Sequence, residues 1–166
     1  VPPFFFAGNP ISPGLYARLC ADFPTISGIL DGSGDSAVSS TLKEALPARQ
    51  LLVNPESGAG AGGGRGGGGP VSDGKGLTAL KAGADACVTG ASNALPELAV
   101  KMHACFDRGD AGGAAQAQRR LTVWAKKREA MSEVCSSIVP LVKAAVAARV
   151  PGLEAHTRPP YEDSTP

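Results

Sequence analysis

An α/β fold is predicted by three observations. Short apolar runs at 26–31, 50–56 and 85–88 read as strands bounded by turn residues. A helical pattern follows each of them, over 35–46, 76–84 and 95–106. The first run, Ile26-Ser27-Gly28-Ile29-Leu30-Asp31-Gly32-Ser33-Gly34-Asp35, passes straight into a loop of small and acidic residues. That layout puts chemistry at the carboxyl end of a barrel strand.

Composition narrows the function classes. The 166 residues suit one domain with a buried core, and carry 16 Lys+Arg against 15 Asp+Glu, a formal charge of +1. So near-neutral a chain gives no electrostatic reason to expect a nucleic-acid or membrane-surface partner. Cys20, Cys87, Cys105 and Cys135 are widely spaced, form no C-x-x-C pair and read as buried free thiols, so neither a metal site nor a disulfide framework is expected. No run approaches the roughly 20 apolar residues of a membrane-spanning helix. Val1-Pro2-Pro3-Phe4-Phe5-Phe6 lacks the basic start and the length of a signal peptide. A soluble fragment, or the product of processing or of an incomplete gene model, fits these features; its expected compartment is cytoplasmic, or organellar in a eukaryote.

The elements follow in order. The aromatic run 1–6 suits a buried strand that ends at Ala7-Gly8-Asn9-Pro10. Ser12 is placed to cap a helix that opens with Pro13, and Asp35 or Ser36 to cap the next. In that second helix Val38, Leu42, Ala45 and Leu46 form the expected apolar stripe. Gly83 ends a short helix from Gly76. Cys87 and Val88 are expected in strand core, with Gly90 allowing close backbone approach and Pro96 starting another helix.

The C-terminal third is helical. Leu95, Leu98, Met102 and Phe106 make one face and Ala114, Ala117, Leu121 and Trp124 the next, joined at Arg108-Gly109-Asp110. Val134, Ile138, Leu141, Val142 and Ala145 stripe a last helix in which Pro140 forces a kink or restart. His103 reads as a surface or packing residue with no histidine or carboxylate beside it at ligand spacing, and Lys143 as solvent-facing. The basic cluster Arg119, Arg120, Lys126, Lys127 and Arg128 reads as a solvated helix face.

The tract 58–69 has nine glycines in its twelve residues and a single arginine, Arg65. It contains a formal G-x-G-x-x-G, yet more glycine follows where a dinucleotide fingerprint needs an amphipathic helix. One cation is also too few for an arginine-glycine RNA-binding tract. A flexible insertion at 57–75 is the expectation.

Three stretches, in order, resemble one family. Residues 26–35 resemble a sixth-strand motif of the form G-[IV]-K-[DE]-x-[ST]-G-D, with Leu30 in place of the lysine. Residues 1–16 resemble a fourth strand V-x-P-[FY]-[FY]-[FY] followed by G-[LV]-Y. Residues 85–97 resemble an eighth strand and loop, commonly G-A-D-G-x-[IV]-[ST]-x-x-[AS]-N-x-x-P. The family is that of dihydrodipicolinate synthase and N-acetylneuraminate lyase, class I aldolases of 2-oxo acids. The run Pro140-Leu141-Val142-Lys143-Ala144-Ala145 and Arg158-Pro159-Pro160 are similar to its C-terminal helical extension.

The resemblance implies a partial TIM (β/α)8 barrel built from strands four and six to eight. Residues 1–100 would form the barrel part, 101–150 the C-terminal helices and 151–166 an extended tail. Strands one to three, the substrate-gripping G-T-[TN]-G-E loop and the fifth-strand Y-[NH]-x-P motif have no counterpart here. Family chemistry runs through a Schiff base between the lysine and a 2-oxo acid such as pyruvate, with no cofactor or metal. Leu30 can neither attack a carbonyl nor carry the positive charge, so no catalytic residue is assigned. Gly28, Asp31, Ser33, Gly34, Gly90 and Asn93 are the expected substrate-site residues. Four strands cannot close a parallel barrel, so a homo-oligomer or a partner subunit is expected.

Overall fold

The computed structural model describes residues 11–32, 35–45, 48–53, 75–131 and 138–159, without the side chains of residues 129 and 138. The expected strand at 1–6, the glycine tract, Ser33, Gly34 and Cys135 lie outside these residues.

Helix α1 (Pro13–Asp22) starts as expected: the Ser12 side chain accepts a hydrogen bond from the Leu15 N–H, and Pro13 takes the first helical position. It leads to strand β1 (Gly28–Asp31), helix α2 (Ser36–Ala45) and strand β2 (Gln50–Val53). Asp35 caps α2, its Oδ1 accepting from the Ala37 N–H at 2.8 Å. Helix α3 (Gly76–Lys81) ends at Gly83, whose φ of 96° only glycine adopts easily. Strand β3 (Ala86–Cys87), the single turn α4 (Ala91–Ala94) and helix α5 (Pro96–Asp107) follow. Helices α6 (Ala111–Met131) and α7 (Ile138–Ala147) complete the described chain, and α7 contains Pro140.

The α/β expectation holds. Among the described residues the sheet has three parallel strands in the order β1-β2-β3. Parallel strands need crossover connections, and α2 and α3 lie in those connections. Ile29 pairs with Leu51, Leu30 with Leu52, and Asp31 with Val53, while Leu52 and Val53 continue to Ala86 and Cys87. Successive residues of a strand point to opposite faces. One face therefore carries Ile29, Asp31, Leu51, Val53 and Cys87, and the other Leu30, Leu52 and Ala86.

The first of these faces is the core face. Leu51 and Val53 pack with Tyr16, Cys20, Leu42, Ala79 and Ala84. A second cluster joins Leu80, Ala91, Leu98, Met102, Ala117 and Leu121 across α3 to α6, and Cys87 packs against both. The predicted faces of α5 and α6 are the ones buried. Two local expectations are corrected. In α2 the buried positions are Ser39 and Leu42, whereas Val38 is 38% exposed and Ala45 is exposed; the helix is rotated so that Ser39 meets the sheet. Val88 lies just beyond β3 and is 45% exposed: its N–H still donates to the Val53 carbonyl at 2.9 Å, and alternation turns its side chain to the face of Leu30 and Leu52, away from the core helices.

Cys20 and Cys105 are buried and Cys87 half-buried, all three as free thiols, in keeping with the sequence expectation. No helix among the described residues is long and apolar enough to cross a membrane.

Gly28 is required by the spacing of β1 and β2. A Cβ built there would lie 2.5 Å from the Gln50 carbonyl oxygen and 2.9 Å from the Gln50 Cβ. The first obstacle is backbone in a paired strand and cannot rotate away. Gly28→Ala is expected to destabilise the protein by roughly 1–3 kcal/mol, as overpacked sites do, read as a lower denaturant midpoint with the slope unchanged.

Candidate functional site

The carboxyl ends of β1 and β3 bring some of the predicted site residues to one end of the sheet. Leu30 projects from the face opposite the core, paired with Leu52 and half-buried. Asp31, the next residue, projects the other way and is 5% exposed. Its Oδ2 accepts a hydrogen bond of 2.6 Å from the Ser39 hydroxyl on α2. Asp31 thus holds the carboxyl end of β1 against α2.

Past β3, the Thr89 hydroxyl accepts from the Ser92 N–H at 3.2 Å and lies 2.9 Å from the Ser92 hydroxyl, so this pair organises the turn into α4. Gly90 has an ordinary helical φ of −64° and accepts from the Asn93 N–H at 3.1 Å. Asn93 is exposed, and its Nδ2 donates to the same Gly90 carbonyl at 3.3 Å. In this arrangement Gly90 and Asn93 stabilise a turn. Gly28, the remaining described member of the set, is held by the packing of β1 on β2.

A second polar cluster sits at the opposite, amino end of β3, and no functional role was expected for its members. Asp85 Oδ2 accepts from the Leu51 N–H at 2.7 Å and from Lys43 Nζ at 2.7 Å. The Asp85 N–H donates to the Leu51 carbonyl at 2.8 Å, and Lys43 also reaches the Arg49 carbonyl at 3.2 Å. Burial opposes ionisation of Asp85, but the Leu51 N–H and the Lys43 ammonium outweigh it and hold the carboxyl below its usual range. His103 on α5 completes the cluster: Nε2 is 2.8 Å from the Asp85 carbonyl oxygen and Nδ1 is 3.0 Å from Asp107 Oδ2. His103 therefore does have a carboxylate partner, four residues along its own helix, a spacing that places two side chains on one helical face.

His103 also lines a small cavity of about 50 Å³ with Cys87, Thr89, Ser92 and Met102. Burial pushes the Cys87 thiol up to about 11, and its Sγ donates to the Gly76 carbonyl at 3.5 Å, both of which favour the neutral thiol. Among the described residues, no cluster of His, Cys, Asp and Glu could hold a metal ion. Lys143 donates to the His156 carbonyl, and Lys43 is committed to Asp85.

These features define an α/β protein with a parallel sheet and its core helices on one face. No protein-family model and no curated protein matches the chain. Solved structures do match it. A prophage protein of the dihydrodipicolinic acid synthase family from E. coli K12, in complex with pyruvate, superposes with a TM-score of 0.73 at 20% identity, over 94% of this chain and 47% of its own. Dihydrodipicolinate synthase from Bacteroides thetaiotaomicron gives 0.73 at 18% identity, over 93% and 46%. A dihydrodipicolinate synthase-like protein from Thermus thermophilus gives 0.68 at 21%, over 95% and 47%. The chain has the fold of about half of a dihydrodipicolinate synthase family protein. This is the family that the strand motifs resemble, and the chain spans about half the length of the structures it matches.

Asp85→Ala removes one acceptor from two donors. The expected loss is about 1–2 kcal/mol, limited by solvent screening of the partly exposed pair with Lys43. Since the folded carboxyl titrates below its unfolded value, its stabilisation is present above about pH 4 and disappears as pH falls through the folded value. Denaturation of wild type and Asp85→Asn across the acid range should therefore show the gap between them closing on the acid side.

Proposed function

We propose that this chain belongs by descent to the dihydrodipicolinate synthase/N-acetylneuraminate lyase family, and that it keeps part of the barrel scaffold while lacking the family's covalent step. The order of the three strand motifs and the fold of half a family member support this reading. Leu30 carries the functional conclusion. It occupies the strand position at which the family motif has lysine, and an alkyl side chain cannot form an iminium with a 2-oxo acid. Removing a nucleophile commonly costs several orders of magnitude in rate. The chain is thus an impaired or inactive lyase relative, and its ligand class, if the site survives, is a pyruvate-type 2-oxo acid. Gly28, Asp31, Ser33, Gly34, Gly90 and Asn93 would shape that site, with Gly28 and Asp31 setting the strand and Gly90 and Asn93 the loop beyond β3.

A second reading rests on the extent of the match. A chain that spans 46–48% of its structural neighbours would serve as a non-catalytic assembly subunit if a complete barrel supplied the missing strands. On this reading the isolated chain is aggregated or unfolded and becomes ordered with a complete family member. A sharp thermal transition of the monomer, independent of concentration, would exclude it.

Borohydride reduction in the presence of pyruvate tests the first reading. The unmodified chain is expected to keep its intact mass, and Leu30→Lys to gain a reduced pyruvyl adduct. An adduct on the unmodified chain would place the nucleophile elsewhere and overturn the assignment of Leu30.

A further inference from the structure

Both ring nitrogens of His103 face oxygens that only accept hydrogen bonds. Nε2 meets the Asp85 backbone carbonyl at 2.8 Å, and Nδ1 meets Asp107 Oδ2 at 3.0 Å. Neither a carbonyl nor a carboxylate supplies a proton, so each bond needs an N–H on the ring. A neutral imidazole has one N–H, and the imidazolium has two. We infer that His103 is a pH-dependent brace, which ties the start of β3 to α5 through two hydrogen bonds when protonated and gives up one of them on losing its proton.

The surroundings favour this behaviour. Asp107 is the facing charge on α5 itself, and from the connection before β3 the facing residue is Asp85, whose carboxylate is engaged by Leu51 and Lys43. The rest of the cavity wall brings Gly76 from α3, Cys87 from β3, Thr89 and Ser92 from the loop and α4, and Leu121 from α6. None of these is charged near neutrality, the Cys87 thiol being pushed up to about 11. Cation and carboxylate therefore face each other, and the nearby Lys43 ammonium is engaged by the Asp85 carboxylate.

The direction of titration follows. The bond to the Asp85 carbonyl raises the ring above its ordinary 6.5, partial burial works against it, and Asp107 adds to the rise. A group raised on folding contributes stability that is fully present below its unfolded value and is lost as pH rises through its folded value. The brace is thus closed in mild acid and opens on the alkaline side of about pH 6.5. Opening acts on Asp85, the residue whose carboxylate also ties β2 to α2. The inference stands independently of the aldolase ancestry.

The chain contains two histidines, so their ring signals can be assigned by one substitution. His156 is exposed and paired with Glu154, which makes His156→Gln the assignment control. In an NMR titration of the ring nitrogens, His103 is expected to show N–H at both positions below its transition and to titrate above about 6.5. Asp107→Asn should shift that transition downward while leaving the fold intact. His103→Gln should abolish the fall in unfolding midpoint that wild type shows between about pH 6 and pH 8.5, the range in which histidine changes charge. Titration of wild-type His103 at or below 6.5, or the same pH dependence of stability in wild type and His103→Gln, would overturn the inference. The ring titration needs no variant of His103 and decides the matter even if His103→Gln fails to fold.

Discussion

Three parts of the described structure meet at Asp85. This residue stands one position before β3, where three layers must be joined: the sheet, the helix α2 behind β1, and the helix α5 that follows β3. Its side chain takes the Leu51 N–H from β2 and the Lys43 ammonium from α2, while its backbone carbonyl takes the His103 ring from α5. A two-residue strand such as β3 has too few ladder bonds to fix its own register. The carboxylate compensates, because charge-assisted hydrogen bonds to an ionised acceptor are about twice as strong as neutral ones. Gly83 makes the approach possible by turning the chain at positive φ directly ahead of the joint.

With β3 anchored, the parallel register separates two chemistries onto the two faces of the sheet. The core face is filled by Leu51, Val53 and Cys87 against the helices, and Asp31, the buried acid among its described residues, accepts from Ser39. A buried carboxylate without such a donor would be costly, so α2 is rotated to present a serine where an amphipathic pattern alone would present Val38. The opposite face carries Leu30 and Leu52. In a strand of alternating residues, a substitution at one position changes one face only, so a change at Leu30 leaves the helix packing of the core face in place.

The helices beyond the sheet form a second support. α5 and α6 pack closely at their connection, where a Cβ on Gly113 would lie 2.3 Å from Asp110 Oδ2 and 2.7 Å from Cys105 Sγ. Asp110 caps α6 through the Gly113 N–H at 2.8 Å. From α6, the Gln118 side chain accepts the Leu77 N–H at 2.7 Å and so satisfies one of the orphan donors of α3. Arg149, just after α7, bonds the Ala94 carbonyl at the end of α4 and pairs with Glu97 at 3.0 Å. The turn that carries Gly90 and Asn93 is thereby tied at its end to the segment that follows α7.

Local sequence determined much of the architecture, because its signals act over a few residues. Ser12 and Pro13 start α1, Asp35 caps α2, Gly83 stops α3, Pro96 opens α5, and the apolar spacing of Leu98, Met102, Ala117 and Leu121 selects the buried faces of α5 and α6. The α/β class and the family resemblance were legible for the same reason, since strand motifs are contiguous. The spacing of His103 and Asp107 was equally visible in the sequence, but what made it consequential, the Asp85 carbonyl on the other ring nitrogen, lies 18 residues away. Contacts such as Lys43 with Asp85 and Ser39 with Asp31 join residues 42 and 8 apart and leave no periodic trace. Only the tertiary structure decided that Asp31 meets Ser39 on α2, that Ser39 replaces Val38 on the buried side of that helix, and that Asp85 is the joint. Propensity and caps act within one element, whereas the partner of a buried polar group is chosen by which elements the fold brings together.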